Sequence, residues 1–190
     1  MRLLLASKSP RRQQLLASIG YPIEIVSIDV DEHVSPTLPA KEVAEHLARR
    51  KAAAYPVSSL AEDSVLVAAD TTVVLDGRVL GKPANREEAV CMLHDLAGCA
   101  HTVYTGVCLR TLQQEISFTE GTTVHFATLS DEEIAYYVDH YRPYDKAGSY
   151  GIQEWIGMIG ISGIEGCYYN VMGLPLARLY RELKTLSIAQ

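Results

Sequence analysis

The spacing of apolar and polar positions changes period repeatedly along the chain, and each change predicts an element. Arg2–Ala6 is a short apolar run and reads as a buried strand. Ser9-Pro10 opens a helix, because Pro lacks only an N–H that has no intrahelical partner at that position. That helix runs to about Ser18, with Gly20 as its stop. Ile23–Ile28 predicts a second strand, and Ala40–Ala54 a helix with Val43, Leu47 and Ala54 on one face. Ser64–Leu75 is Val-rich and apolar enough for a central strand, closed by a tight turn at Asp76-Gly77. Asn85 with Glu88, and Ser130 with Glu133, have capping-box spacing. They start helices to about Leu96, with Gly98 as the stop, and to about Tyr141. His101–Leu109 and Glu115–Ala127 alternate like strands joined near Gln113-Gln114. Tyr144–Gly173 holds seven glycines and reads as loops and short strands, before a last helix over Leu174–Lys184. No internal repeat or low-complexity segment interrupts this order, which predicts an α/β or α+β sheet protein.

Composition narrows the class. The chain has 190 residues, 48% hydrophobic and 21% charged, enough for one domain with its own core. A formal net charge of −6 argues against nucleic acid as a partner, because phosphate neutralisation needs a basic face. No charge-free stretch reaches the ~18 apolar residues of a membrane span. The N-terminal apolar run ends at Ala6, before Lys8, Arg11 and Arg12, and is too short for a signal peptide. Cys91, Cys99, Cys108 and Cys167 lack CxxC spacing and lie in apolar segments. Reduced core or near-core cysteines and a cytoplasmic location are therefore expected.

The candidate chemistry is an inventory of cations, carboxylates and hydroxyls. Ser7-Lys8-Ser9-Pro10-Arg11-Arg12 places two arginines in the first turn of a helix, where the dipole already repels cations. That placement fits a bound anion, received by backbone N–H groups, the Ser7 and Ser9 hydroxyls and both guanidinium groups. Asp70 interrupts a buried strand, and a buried carboxylate needs a cation, a metal or donors beside it. Thr71 follows it. Lys82, between Gly81 and Pro83, is a fixed point charge, and Lys51 ends a helix. Asp29, Asp31 and Glu32 form an acidic cluster of the kind that holds Mg²⁺ together with substrate phosphates. The Gln153 amide, in a loop of small residues, can both donate to and accept from a base edge. His94 and His101 have no evident nucleophilic partner and read as structural. The chain has no GxSxG, HExxH, Walker A or GxGxxG motif, so the inventory points to metal-assisted phosphoryl or nucleotidyl chemistry on water.

In order, SKSPRR (Ser7–Arg12), Asp31-Glu32, Lys51, ADTTV (Ala69–Val73), Gly81-Lys82-Pro83, HTVYTGV (His101–Val107), DKAGSYGIQ (Asp145–Gln153) and NVMGLP (Asn170–Pro175) closely resemble the Maf family. These are septum-formation-inhibitor-like nucleoside triphosphate pyrophosphatases. The resemblance spans nearly the whole chain and implies a single domain over 1–190. Its fold is a mixed twisted sheet with flanking helices and two lobes around a cleft, similar to inosine triphosphate pyrophosphatases. It implies metal-dependent hydrolysis of a nucleoside triphosphate to the monophosphate and pyrophosphate, with Mg or Mn as the divalent cation. Asp70 matches the catalytic base; Arg11, Thr71 and Gln153 match positions linked to base selectivity. ADTTV and AGSYGIQ look like the branch acting on dTTP and UTP. The expected site is Asp70 as catalytic residue, Glu32 and Asp70 toward the metal, and Ser7, Ser9, Arg11, Arg12, Lys51, Thr71, Lys82 and Gln153 toward substrate. Whether Asp70 is base or metal ligand stays open at this point. Arg142 stands where many relatives carry an acidic residue. The resemblance also points to a homodimer. The competing reading is a nucleotide-binding regulator of cell division without relevant turnover.

Overall fold

The computed structural model describes residues 1–186 and places the alternating elements in one mixed sheet. The strands are β1 (Arg2–Ala6), β2 (Ile23–Ile25), β3 (Ser64–Leu75), β4 (Arg78–Leu80), β5 (Ala100–Arg110), β6 (Glu115–Phe126) and β7 (Ile161–Glu165). The helices are α1 (Pro10–Ala17), α2 (Ala40–Ala54), α3 (Arg86–Leu96), α4 (Asp131–Tyr141), α5 (Trp155–Gly160), α6 (Tyr168–Val171) and α7 (Leu176–Thr185). Short 3₁₀ turns lie at Val57–Ser59 and Ala147–Ser149. The strand order is β2-β1-β3-β5-β6-β7, with β4 beside β3.

β1 pairs in parallel with β2 and β3, and Ala6 lies opposite Ala68. β3 turns back into β4 antiparallel, with Val73 opposite Leu80. Both turn residues have positive φ, 49° at Asp76 and 78° at Gly77, the combination that suits a two-residue hairpin and favours Asp-Gly. α4 begins with the full capping box: Glu133 N–H donates to the Ser130 hydroxyl and Ser130 N–H to the Glu133 carboxylate. α3 has half of it. Glu88 N–H donates to Asn85, but the Glu88 carboxylate accepts from Ala84 N–H instead.

Several expectations are corrected. β2 ends at Ile25 rather than Ile28, although Val26 N–H still donates to the Leu5 carbonyl at 3.0 Å. The glycine-rich stretch after Tyr144 contains two short helices, α5 and α6, as well as β7. Gly157 explains part of this: a Cβ there would stand 1.8 Å from the Ile152 carbonyl oxygen, so only glycine lets the first turn of α5 close onto that backbone. Cys91 and Cys99 are exposed, not core; Cys108 is buried, and burial pushes its thiol up to about 12. All four cysteines are free thiols.

The chain divides into two compact units. The first comprises Met1–Thr71, Thr105–Glu120 and the segment from Gly173; the second comprises Thr72–Tyr104 and Gly121–Met172. In the first, Leu4, Ala6, Leu66, Ala68 and Cys108 of the strands pack on Ala48 and Ala52 of α2. The approach is close: a Cβ on Gly106 of β5 would lie 2.2 Å from the Glu45 backbone nitrogen. Glu45 then ties α2 to β6 by accepting from Ser117 at 2.6 Å and Thr119 at 2.7 Å. In the second unit, Leu93 and Leu96 of α3 and Ile134, Tyr137 and Val138 of α4 bury their side chains with Val73, Val103, Val124 and Phe126.

Candidate active site

In the first unit the parallel register decides where the chemistry gathers. Ala6 and Ala68 are opposite one another, so Ser7 leaves β1 level with Ala69, the residue before Asp70. The carboxyl ends of parallel strands are where open α/β sheets build ligand sites. Asp70 and Thr71 are half-buried, each next to strand positions with almost no exposure.

Lys51, in the last turn of α2, reaches both carboxylates predicted for the site. Its Nζ lies 2.6 Å from Asp70 Oδ1 and 2.7 Å from Glu32 Oε1. The Lys51 and Asp70 side chains are each 14% exposed, so neither charge is held by solvent alone. The sequence read Lys51 by itself mainly as a helix-end cation; tertiary structure brings it to Asp70. Among the acidic cluster, only Glu32 joins this pair. Asp31 accepts from His33 N–H and lies 3.8 Å from Arg50, and the fully exposed Asp29 lies 3.9 Å from Lys8.

Arg12 is placed differently from the other cations. Its Nε donates to the Gly173 carbonyl at 2.8 Å and its Nη2 to the Thr71 hydroxyl at 2.8 Å, with Thr105 Oγ1 3.0 Å beyond Thr71. Burial pushes the Arg12 guanidinium pKa down, against the opposing pull of Asp70 and Glu32. Gly173 holds φ +111°, and a Cβ there would meet Arg12 Nε and Thr71 Oγ1 at 3.5 Å. Arg12 is therefore a bracket joining α1, β3 and the segment leading to α7.

The start of α1 has no side-chain cap on its first-turn N–H groups. Ser9 is the N-cap, but its side chain makes no cap bond, and the first turn contains no acidic residue. α3 and α4 both have a side-chain cap and acidic first turns. At α1 the Ser7 hydroxyl instead accepts from Ser9 N–H at 3.2 Å. Arg11, on the same turn, is half-buried.

The second unit carries the remaining two candidates. Lys82 is exposed, just after β4, and no ion pair engages it among the described residues. Gln153 sits within a turn closed by Glu154 N–H donating to the Gly151 carbonyl at 3.0 Å. Its Oε1 is buried without a hydrogen-bond partner among the described residues. Leaving such an atom unpaired costs free energy unless a ligand satisfies it. His101 is buried, 2.7 Å from the Tyr150 hydroxyl through Nε2, and burial pushes its pKa down to about 4. It packs with Phe126 and Tyr150 in the core of this unit, as a structural histidine would.

In the sequence the segment holding Lys146 is singled out without a role for that lysine, and Tyr137 and Glu154 are not singled out. The Lys146 ammonium lies 2.8 Å from Asp145 and 3.1 Å from Glu154, whose other oxygen accepts from the Tyr137 hydroxyl. The available signal was a lysine inside the small-residue loop already singled out. From sequence, Tyr137 is placed only within the helix that starts at Ser130.

No group of three or more metal-ligating side chains is present among the described residues. Glu32 and Asp70, brought to one ammonium, fit a hard divalent cation that takes one or two carboxylates and completes its shell with substrate oxygens. They do not fit an all-protein cage.

Known proteins resemble this chain over nearly its whole length. The family described as Maf-like protein matches residues 2–186. A Phocaeicola vulgatus protein named dTTP/UTP pyrophosphatase is 52% identical over 97% of this chain and 96% of its own length. Proteins of the same name from Bacteroides fragilis and Carboxydothermus hydrogenoformans are 50% and 51% identical, over 96% and 98% of their own lengths. A solved structure of the Staphylococcus aureus Ham1 protein has a TM-score of 0.44 at 15% identity, over 67% of this chain and 72% of that one.

Proposed function

Because the chain belongs to the Maf family, we propose that it hydrolyses dTTP and UTP to the nucleoside monophosphate and pyrophosphate with a divalent cation. The observation that carries the reading is Asp70, bound to Lys51 and sharing that ammonium with Glu32, two residues beyond the last parallel pair of β1 and β3. Near-full-length relatives of that name support the substrate class.

In this reading the Asp70 carboxylate accepts the proton of the water that attacks the α-phosphorus. Lys51 holds that carboxylate in place, so little reorganisation remains for the reaction step. Mg or Mn at Glu32 and Asp70 would supply neutralisation of the phosphate charge. Arg11, the Ser7 and Ser9 hydroxyls and the uncapped N–H groups of α1 receive phosphate oxygens. Arg12 acts mainly by holding Thr71, since two of its N–H groups are already committed. Lys82, exposed after β4, is the candidate for the leaving pyrophosphate. The Gln153 amide faces the base: it can accept from N3–H and donate to a carbonyl of thymine or uracil. Cytosine reverses part of that pattern and leaves polar groups unpaired, which a buried site penalises strongly. A cytoplasmic location and a homodimer accompany this reading. A solution mass twice the chain's 20.9 kDa checks the dimer.

The test is pyrophosphate release from a panel of nucleoside triphosphates, with Mg²⁺ and with chelator. Metal-dependent release from dTTP and UTP, with little from CTP or purine nucleotides, is the expected result. No release from a folded, metal-supplied sample would overturn the reading and favour a nucleotide-binding regulator.

A further inference from the structure

The second unit contains a buried polar cluster that the proposed reaction does not use. Tyr137, on α4, is fully buried, and its hydroxyl is engaged on both sides. It donates to Glu154 and accepts from Gly151 N–H at 3.0 Å. The other Glu154 oxygen is ion-paired at 3.1 Å with Lys146, which is 7% exposed and donates to Asp145. Glu154 folds back over Gly151: a Cβ there would lie 2.9 Å from the Glu154 carboxyl carbon. The Glu154 backbone nitrogen closes the turn onto Gly151. Gly151 and Glu154 are thus held at both ends by one hydroxyl and one carboxylate, and Gln153 is the residue between them with an orphaned, buried oxygen.

We infer that Tyr137, Glu154 and Lys146 are positioning residues for Gln153, clamping the Gly151–Glu154 turn so that the amide keeps one orientation toward the pyrimidine. The inference rests on the proposed role of Gln153 in reading the base. An amide presents a donor on one side and an acceptor on the other, and discriminates only if it cannot rotate. The charge-assisted bond from Tyr137 to Glu154, the Lys146–Glu154 ion pair and the Gly151 N–H bond to the Tyr137 hydroxyl fix the backbone that carries the amide, and so narrow the positions from which it can meet a base. The cluster is satisfied without substrate, so the orientation is set before binding.

The experiment compares wild type with Tyr137→Phe, Lys146→Met, Lys146→Arg and Gln153→Ala. It reads kcat and KM for dTTP and dCTP, together with the melting temperature of each variant. Tyr137→Phe keeps the ring in the core and removes both hydrogen bonds of the hydroxyl. It is expected to lower the dTTP-to-dCTP ratio of kcat/KM about tenfold, with the loss mainly in KM for dTTP. Lys146→Met is expected to do the same and Lys146→Arg to restore most of the ratio. A merely structural role would lower the melting temperature and slow both substrates alike. An unchanged ratio in Tyr137→Phe and Lys146→Met, while Gln153→Ala lowers it, would overturn the inference and leave the base reading standing. An unchanged ratio in Gln153→Ala would overturn the base reading and this inference with it. If Tyr137→Phe does not fold, the two Lys146 variants decide.

Discussion

Asp70 is held by one lysine, and that pairing makes its substitution informative. Asp70→Asn keeps the shape of the side chain and leaves Lys51 with Glu32 as partner. It is expected to lower kcat at least ~10²-fold, the usual size of a general-base contribution, with little change in the unfolding midpoint. Pyrophosphate release beside a melting curve checks both halves. His101 makes a second residue-scale case, in stability rather than turnover. Its folded pKa is about 4, below the ordinary value of 6.5, because burial disfavours the imidazolium. The unfolded chain therefore binds the proton first as pH falls. His101 leaves stability untouched above about pH 6.5 and lowers it progressively from there down to about 4. The loss accumulated by pH 4.5 is on the order of 2–3 kcal/mol. Urea unfolding at pH 7 and pH 4.5 should show a smaller difference for His101→Gln than for wild type, by about that amount.

Two elements depend on single positions. α4 starts with a reciprocal capping box, and the α4 face that carries Ile134, Tyr137 and Val138 belongs to the core of the second unit. Ser130→Ala removes one orphan N–H partner and should cost about 1 kcal/mol, seen as a lower denaturation midpoint with unchanged slope. α2 rests on β5 through Gly106, where any Cβ would overlap the backbone of Glu45. Neither element can retreat by rotating a side chain, since the clash is with main chain. Gly106→Ala is expected to displace α2, and with it Lys51, from the strands. The variant should lose several kcal/mol of stability, comparable to an overpacked core. Any protein recovered should turn over dTTP far more slowly, because Lys51 no longer holds Asp70.

At the scale of the whole molecule, the boundary between the two units falls inside β3, β5 and β6. The single-domain expectation then has a direct test. The one tryptophan, Trp155, lies in the second unit, whereas far-UV circular dichroism samples both. If the chain unfolds as one domain, the two signals follow a single denaturant transition; separated midpoints would show two domains. Function at this scale is charge balance. The chain carries −6 overall, and no helix among the described residues is long and apolar enough to cross a membrane. In the proposed reaction a triphosphate is held by a few cations rather than by a basic surface. Its binding should weaken far less between 50 and 200 mM salt than a nucleic-acid contact of many phosphates would.

The sequence by itself determined the local elements and the residue types of the site. Strand and helix periods, the capping pairs at Asn85 and Ser130 and the Asp76-Gly77 turn are local properties, and the structure carries each where its residues stand. Local signals also erred locally, at the end of β2 and in the glycine-rich stretch, where close backbone approach rather than periodicity sets the conformation. Only the tertiary structure decided which charges meet. Lys51 and Asp70 are far apart in sequence, and nothing in either neighbourhood encodes a 2.6 Å contact. Arg11 and Arg12 look equivalent in the chain, yet the turn of the helix sends Arg12 to Gly173 and Thr71. Tyr137 is only a helix position in the sequence, yet its hydroxyl donates to Glu154, in the Gly151–Glu154 turn beyond α4. Periodicity reports which face of an element is buried; what a buried polar group touches depends on the elements that fold against that face.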